Sequence, residues 1–280
     1  MFPHISTSTL VNAFGSLALA GGALAGYALR FEPRWVEVVR LSLSFPRLPP
    51  SFDGLTIAHL SDLHAGLFVP ASQVRRFVDM TNALQPDMVV VTGDMFRSLP
   101  REVRMCAHEL VSLRAPLGVY AIMGNHERRL PARLGEQPFR DVGLTVLCNA
   151  AHEVRVDGAS LWLVGLDDML CWRGNLTLAL RHVPEQAFKI LMVHEPDYAD
   201  YVVRRRVAID LQLSGHSHGG QIRLPGVGPL LLPFLGRKYP MGLYRVGKMW
   251  LYTNRGLGVA FPPFRFCCRP EITLLTLRAE

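Results

Sequence analysis

Two histidines, His216 and His218, stand one residue apart in the segment SGHSHGGQI, directly after the apolar run AIDLQL. In an extended chain, residues i and i+2 project to the same side, so this spacing predicts that both imidazoles face one point. Asp62 and His64 repeat the spacing in SDLH, and Leu63 between them is predicted to turn into the core. The glycines that follow the second histidine let the backbone turn away without side-chain bulk.

Three further polar motifs also follow apolar runs. TGD supplies Asp94, GNHE supplies Asn125 and His126, and VHEP supplies His194. Histidine, aspartate and asparagine together form a mixed nitrogen and oxygen set that suits Mn, Zn or Fe(II) rather than calcium. Such a set exceeds the needs of one tetrahedral ion and suits two ions about 3.5–4 Å apart that share a carboxylate. The predicted metal ligands are Asp62, His64, Asp94, Asn125, His194, His216 and His218.

The elements that position these residues alternate along the chain. GLTIAHL, DMVVV, GVYAIM, TVLCNAAHEVRV, ASLWLVG, KILMV and AIDLQL are predicted as strands. PASQVRRFVDMTNALQP and PREVRMCAHELVSLRA have the apolar spacing of helices. This alternation predicts βαβ units and a mostly parallel sheet that is covered on both faces. The carboxyl ends of strands in such folds are where binding sites lie, and each polar motif stands at one.

The motif series DLH, GD, GNHE, H and GHSH resembles the calcineurin-like metallophosphoesterases over about residues 53–280. The resemblance implies an α/β fold, a four-layer α/β/β/α sandwich, and two divalent ions, with Mn²⁺ preferred and Zn²⁺, Fe²⁺ or Mg²⁺ as alternatives. It also implies how the ligands divide. A first ligand group (Asp62, His64 and His218) would hold one ion, a second ligand group (Asn125, His194 and His216) the other, and Asp94 would bridge them.

By the same resemblance, His126 is the catalytic residue beside the leaving group and binds no metal. Paired cations give a bridging hydroxide near neutral pH and hold the phosphoryl oxygens for in-line attack. His126 then acts as a general acid or an electrostatic clamp at the leaving oxygen. Glu127 stands where aspartate is commoner, which removes no ligand. The predicted activity is hydrolysis of a phosphodiester or pyrophosphate bond.

The segment Leu10–Leu29 carries no charge over twenty residues. As a helix it would reach about 30 Å, the thickness of a bilayer's hydrocarbon core. A secretory signal would open with basic residues, which MFPHISTST lacks, and a buried soluble helix is the other alternative. We interpret residues 10–29 as a membrane anchor between a tail (1–9) and a linker (30–52), with the phosphoesterase domain over 53–280. Positive charge at Arg30, Arg34 and Arg40 predicts a domain on the cytoplasmic side of the inner membrane.

Three segments narrow the resemblance: LPPSFDGLTIAHLSDLHAG, SGHSHGGQIRLP and RGLG…RFCCRPEI. They resemble a bacterial membrane-associated subgroup that includes UDP-2,3-diacylglucosamine pyrophosphatases of lipid A synthesis, which release UMP and lipid X. The apolar loop Leu224–Tyr244 either contacts lipid or packs on the domain's own core. The alternatives are a phosphodiesterase or phosphatase acting on non-lipid substrates and a non-catalytic metal-binding scaffold.

Composition bounds the partners. The net charge is +7, which suggests an anionic binding partner such as a membrane surface or a phosphate-bearing substrate. The sequence shows no basic stripe interleaved with aromatics, so no nucleic-acid partner is predicted. Five cysteines, an odd number, form neither a disulfide framework nor a Cys-x-x-Cys pair, and this indicates a reducing compartment.

Overall fold

The protein is described here as a computed structural model, which covers residues 7–280 and, within the first helix, only part of the side chains. The α-helices are α1 Thr7–Gly26, α2 Ala71–Ala83, α3 Pro100–Leu110, α4 Ala132–Gly135, α5 Gln137–Asp141, α6 Leu176–Ala179 and α7 Ala199–Arg204. The strands are β1 Glu37–Phe45, β2 Thr56–Leu60, β3 Met88–Thr92, β4 Val119–Ile122, β5 Thr145–Val146, β6 Ala150–Val156, β7 Ala159–Gly165, β8 Phe188–Met192, β9 Leu211–Ser214, β10 Arg223–Leu224, β11 Gly228–Pro229, β12 Gly242–Val246, β13 Met249–Thr253 and β14 Glu271–Ala279.

Most strands belong to two six-stranded sheets. The first has the order β1-β14-β2-β3-β4-β5, and the second has the order β12-β13-β9-β8-β7-β6. Strands β2 to β5 run parallel, as do β7, β8, β9 and β13, while β14, β12 and β6 pair antiparallel with their inner neighbours. The predicted α/β class is therefore confirmed, and the sheets are mixed.

Buried side chains explain why these segments form strands. All of β3 is buried, and its side chains alternate between two clusters. Val89 and Val91 pack with α2 and α3, whereas Met88 and Val90 pack in a cluster that also contains Ile190 of the second sheet. A third cluster joins the other face of the second sheet to α6 and α7. A strand buried on both faces reads as a continuous apolar run, which is why the sequence predicted it.

The structure differs from the sequence prediction in the segment 30–52, which was interpreted as a linker. Residues Glu37–Phe45 form β1, an edge strand that pairs in parallel with β14 along its whole length. Leu43 and Phe45 are buried in the cluster between the sheets. The proline-rich stretch that suggested a linker begins only where this strand ends, and the alternating segment before it is part of the domain.

The N-terminal segment begins outside the described residues. Of the predicted tail, 1–9, residues 1–6 lie outside the described part of the chain. Helix α1 starts at Thr7. A π-helical turn, Tyr27–Phe31, follows α1. Among the described residues, no helix is long and apolar enough to cross a membrane. The interpretation of 10–29 as an anchor finds no support there and stays a prediction.

Candidate metal centre

The predicted ligands come from both sheets. Strands β2, β3 and β4 of the first sheet end immediately before the SDLH, GD and GNHE motifs. Strands β8 and β9 of the second sheet end immediately before the VHEP and GHSH motifs. Because the carboxyl ends of these parallel strands lie at one edge, motifs from distant parts of the sequence meet there. This confirms the placement that the strand pattern predicted.

The local backbone differs from the extended geometry that the spacing of two suggested. Asp62, His64, His216 and His218 have φ values of 50°, 46°, 68° and 52°. These left-handed conformations cost non-glycine residues roughly 1–2 kcal/mol each. The paired side chains therefore converge because the chain turns sharply beyond each strand, and the surrounding structure holds that strained backbone. Leu63 is fully buried, as predicted.

The first ligand group is brought together closely. His64 Nε2 lies 2.9 Å from His218 Nε2, and their rings stack with centroids 4.9 Å apart. His218 Nε2 lies 3.3 Å from Asp62 Oδ1. Two buried imidazole nitrogens that face each other beside a carboxylate oxygen have lone pairs directed at a common point, an arrangement suited to a shared cation.

Asp94 lies between the two ligand groups. Its Oδ2 is 3.3 Å from His194 Nε2 and 3.7 Å from His64 Nε2. His194 Nε2 is also 3.9 Å from Asp62 Oδ1. One carboxylate oxygen is thus in reach of histidines from both groups, which is the position that a bridging ligand needs.

Asn125 and His216 complete the second ligand group less tightly. Both line the same cavity as Asp94, and the His216 ring lies 4.9 Å from that of His194. Among the described residues, Asn125 Oδ1 and Asp62 Oδ1 are buried without a hydrogen-bond partner. A buried acceptor without a donor costs about 1–3 kcal/mol. These oxygens and the facing imidazoles therefore fit divalent cations.

Burial and neighbouring charges set the protonation of the ligands. Burial lowers the pKa of His64 to about 3 and that of His216 to about 4, and it also lowers the pKa of His218. These imidazoles are neutral near pH 7, as metal ligands must be. Burial opposes a charge on His194, but the carboxylates of Asp94 and Asp62 raise its pKa well above the usual range. His194 of the second ligand group is therefore protonated and charged, whereas both histidines of the first ligand group are neutral.

The comparisons with known proteins agree with this centre. The model of the calcineurin-like phosphoesterase family matches residues 55–220, more than half of the 280-residue chain. The chain belongs to this family. Family membership makes the protein a metal-dependent hydrolase. Divalent ions are implied by the family and by two sets of side chains whose ligand atoms lie close together, Asp62 with His64 and His218, and Asp62 with Asp94 and His194.

Three relatives match almost the whole phosphoesterase. The metallophosphoesterase YkuE of Bacillus subtilis is 34% identical, and the match covers 95% of each chain. The phosphodiesterase YaeI of Escherichia coli is 31% identical over 90% of this chain and 92% of YaeI. The UDP-2,3-diacylglucosamine pyrophosphatase LpxG of Chlamydia trachomatis is 26% identical over 89% of this chain and 91% of LpxG.

His126 lies at the mouth of the phosphoesterase centre. Its Nδ1 pairs with the carbonyl oxygen of Arg97, which leaves Nε2 directed toward the centre, 3.9 Å from Asp94 Oδ2. The ring also packs against His64, with centroids 4.6 Å apart. His126, His64 and Asp94 offer ligand atoms within 4.8 Å of one another, so geometry alone also allows His126 near an ion. That His126 binds no metal and acts on the leaving group therefore stays a prediction.

Several supporting groups were missed by the sequence analysis because they act through the backbone. The Glu127 carboxylate accepts hydrogen bonds from the backbone N–H groups of Gly124, Asp94 and Met95 at 2.7–2.9 Å. It therefore ties the GD and GNHE loops together, a role its place in the motif did not reveal. Burial raises the pKa of Glu127 to about 7, against the lowering effect of these donors.

Backbone carbonyls also orient the histidines of the second ligand group. His194 Nδ1 lies 2.6 Å from the carbonyl oxygen of Thr92, and His216 Nε2 lies 2.9 Å from that of Phe234. Donation to these oxygens fixes the tautomer and leaves the other ring nitrogen free for an ion. Phe234 belongs to the apolar loop Leu224–Tyr244, so this loop supports the centre directly.

A cavity of about 430 Å³ opens onto the centre. His126 and five of the predicted ligands line it, namely His64, Asp94, Asn125, His216 and His218. The rest of the lining is mainly apolar and includes Leu230, Leu231, Phe234 and Phe261, together with the charged Arg237. Leu231 is 77% exposed and Phe261 is 78% exposed. The apolar side chains thus form an uncovered rim beside the metal ligands.

Proposed function

We propose that this chain is a membrane-associated hydrolase that uses two Mn²⁺ ions to cleave a phosphodiester or pyrophosphate bond, with UDP-2,3-diacylglucosamine as its substrate. The observation that carries the proposal is the cavity that joins metal ligands on one side to exposed apolar side chains on the other. Zn²⁺, Fe²⁺ and Mg²⁺ are alternative ions, because the same mixed ligand set accepts them.

The ligands would divide as the resemblance implies. The first ligand group would hold one ion, the second ligand group the other, and Asp94 would contact both. Ions bound there would supply a hydroxide nucleophile near neutral pH and neutralise charge on the phosphoryl oxygens. The chain itself keeps most of the ligands buried and orients His194 and His216 through backbone carbonyls.

His126 would act at the leaving oxygen. Because Nδ1 is engaged with Arg97, Nε2 is the atom that can give a proton or donate a hydrogen bond into the cavity. A general acid must come within hydrogen-bond reach of the leaving group, and His126 stands between the ligands and the solvent. Its side chain is 16% exposed, so a substrate in the cavity can contact it.

Dimensions and relatives favour a lipid-linked substrate. A volume of about 430 Å³ accommodates a phosphate and part of its substituents, which is within the usual range for ligand pockets. Acyl chains would extend over the apolar rim, where burial stabilises them by about 25 cal/mol per Å². LpxG, whose name gives this pyrophosphatase activity, is similar over 89% of the chain. Release of UMP and lipid X in lipid A synthesis is the corresponding reaction.

The location follows from the sequence interpretation of residues 10–29. An anchor there, followed by Arg30, Arg34 and Arg40, would place the domain on the cytoplasmic face of the inner membrane. A nucleotide-linked lipid precursor would be reached from that face. The four-layer α/β/β/α arrangement is proposed for the domain on the basis of the three buried clusters and the two sheets.

A phosphodiesterase acting on non-lipid substrates is the second candidate. The relative YaeI is named a phosphodiesterase and is 31% identical, a higher identity than that of LpxG. This candidate requires turnover without acyl chains and gives the apolar rim no part in substrate binding. A non-catalytic scaffold is disfavoured, because the structure brings the candidate ligand groups together and His126 lines the cavity.

A product assay on the purified full chain with Mn²⁺ separates these functions. We expect UMP and a lipid monophosphate from the diacyl nucleotide in detergent, at a higher kcat/KM than for bis-(p-nitrophenyl) phosphate. Equal kcat/KM for the two substrates would favour the non-lipid phosphodiesterase. No hydrolysis of either substrate by protein with two bound ions would refute the proposed function.

A pair of matched variants tests the apolar rim. Leu231→Glu should lower kcat/KM for the diacyl nucleotide and leave the simple diester within about 2-fold, because a charge on the rim opposes acyl contact. Val111→Glu is the control, since Val111 is 51% exposed and does not line the cavity. Equal losses on both substrates in Leu231→Glu would mean that the rim does not recognise acyl chains.

A further inference from the structure

Arg265 is an interior cation close to the metal centre. It is fully buried, and among the described residues it is the largest fully buried side chain. Its guanidinium donates to backbone carbonyls: Nε to Gly258 at 3.0 Å, Nη1 to Cys268 at 3.1 Å, and Nη2 to Arg255 at 2.9 Å and Gly256 at 3.0 Å. Arginine stays charged in proteins, so these carbonyls compensate a buried positive charge.

An interior guanidinium is an expensive way to fill space. Removing such a charge from water costs several kcal/mol even after relaxation, and apolar replacements of buried charges are often neutral or stabilising. A rigid planar fork with fixed donors can, however, hold several carbonyls in one arrangement. The carbonyls held by Arg265 therefore indicate what it is positioned to do.

Most of them belong to the RGLG loop, defined here as Arg255–Gly258. This loop lies directly on the SDLH segment: Leu257 N donates to the carbonyl oxygen of Ser61 at 3.0 Å, and Gly258 N donates to that of Asp62 at 2.7 Å. A Cβ at Gly258 would lie 2.1 Å from the carbonyl oxygen of Leu63. The backbone of the first ligand group is therefore set by the loop that Arg265 holds.

The loop also approaches the ligand side chains. Gly256 has a φ of 72°, and a Cβ there would lie 2.7 Å from Asp62 Cβ and 3.4 Å from His218 Nδ1. Arg265 Nη2 itself lies 3.4 Å from His218 Nδ1. Thus Asp62 and His218, which come from different sheets, both rest on one loop and the arginine behind it. The second ligand group instead has its histidines oriented by the carbonyls of Thr92 and Phe234.

We propose that Arg265 is a positioning residue that preorganises the first ligand group through the RGLG loop. It affects the second ligand group less, because that group meets the loop only indirectly, through the His216 N–H that donates to Asp62 Oδ2 at 2.9 Å. The proposal rests on the proposed two-ion function. Substitution of groups that orient metal ligands typically costs about 10–100-fold in metal affinity. The loss should fall mainly on one of the two ions, because only the first ligand group contacts this loop directly.

Calorimetric titration of the metal-free full chain with Mn²⁺ tests the proposal. Wild type should bind two ions, and Arg265→Met should bind one ion about 10–100-fold more weakly and the other with a much smaller loss of affinity. Arg265→Lys should give a smaller loss of affinity than Arg265→Met. Its ammonium can still donate to some of the carbonyls, although to fewer than the guanidinium reaches. The matched control is Lys189→Met: Lys189 is also a buried cation bound to backbone carbonyls, those of Glu185 and Ala187, but it does not contact the centre. It should lower Tm without changing either Mn²⁺ affinity.

Gly256→Ala provides a second variant that leaves the arginine in place. Its Cβ would press on Asp62, so the same selective loss of one ion is expected, and it answers the question if Arg265→Met does not fold. Retention of both wild-type affinities by folded Arg265→Met or by Gly256→Ala would overturn the proposal, as would equal weakening of both ions. If wild type binds two ions but hydrolyses no substrate, the proposed function alone is refuted. The Mn²⁺ affinities of the variants would still test the role of Arg265.

Discussion

The two ligand groups of the candidate centre differ in what supports them. The first is buried against the RGLG loop, a backbone-to-backbone contact within the interior. The second has His216 oriented by the carbonyl of Phe234, whose side chain is 62% exposed on the apolar rim. The first group thus depends on the folded core, whereas the second depends on the core through His194 and on a loop at the cavity mouth through His216. Substrate contact with the rim would therefore reach His216 first.

The groups also differ electrostatically. Burial lowers the pKa of both histidines in the first group, His64 and His218, so they are neutral near pH 7. In the second group, carboxylates overcome burial and raise the pKa of His194 well above its usual range. An ion that binds His194 must displace the proton that the raised pKa retains, whereas the histidines of the first group are neutral. An ion therefore meets less electrostatic repulsion from the histidines of the first group.

Asp94→Ala should have the largest effect, because it removes the contact that the two groups share. We expect loss of both ions and a fall in turnover of at least about 10³-fold, since bound ions contribute several kcal/mol to the transition state. Elemental analysis together with the diester assay would measure this. Retention of one tightly bound ion by Asp94→Ala would show that the groups are independent and that Asp94 is not a bridge.

His126→Ala should affect neither group and still reduce activity. Loss of a general acid costs roughly 10²–10⁴-fold in rate, and two bound Mn²⁺ ions should remain. The measurement is turnover against Mn²⁺ content in the same preparation. A variant with full activity would remove His126 from the mechanism, and a variant that loses an ion would make His126 a ligand, which its distance of 3.9 Å to Asp94 also allows.

The sequence predicted the parts of this comparison that apolar runs and motif order encode. The strands before SDLH, GD, GNHE, VHEP and GHSH lie where expected, because buried strands leave a continuous apolar signature. It did not predict the linker correctly, since β1 alternates in burial and ends at a proline-rich turn that resembles a boundary. The sharp φ values of the ligands were also missed, because a spacing of two is compatible with both extended and left-handed backbone.

The supports of the two groups were beyond sequence reasoning for a different reason. The RGLG loop and the Phe234 carbonyl act through main-chain atoms, which every residue carries, so residue type does not mark them. Arg265 uses its side chain, but the groups that it holds are main-chain carbonyls. RGLG and the following arginine were visible as a motif, but their contact with SDLH spans about 200 positions and depends on the sheet order. Such long-range contacts need the fold before their purpose can be stated.

Glu127→Gln should have an intermediate effect that falls on Asp94 through its own N–H and on Asn125 through the N–H of the preceding Gly124. The amide replaces one acceptor oxygen with donors that face N–H groups, which should cost about 1–3 kcal/mol in the free energy of unfolding. Activity should fall by about 10–100-fold, because the loops that carry these ligands loosen. Glu127→Asp, which keeps a carboxylate, is the matched control and should retain more activity. Equal stability and activity in Glu127→Gln would mean that these N–H groups find other acceptors.

The smallest effect is a pH dependence of the stabilisation that Mn²⁺ confers. Without metal, the stability that His194 contributes is fully present below its unfolded pKa of 6.5 and is lost as pH rises through its raised folded pKa. Burial raises the pKa of Asp62 to about 6, so its ionisation also destabilises the metal-free protein as pH rises from 3.8 through that value. Both groups therefore favour the metal-free state at low pH.

The gain in Tm on adding Mn²⁺ should consequently be larger at about pH 8.5 than at about pH 6, by a few degrees for a chain of this size. Thermal unfolding with and without Mn²⁺ across this range measures it. His194→Ala removes the displaced proton, so the gain should be smaller and should change less with pH. A gain in wild type that is constant or falls with pH would show that no proton is displaced, and the electrostatic difference between the two ligand groups would then not exist.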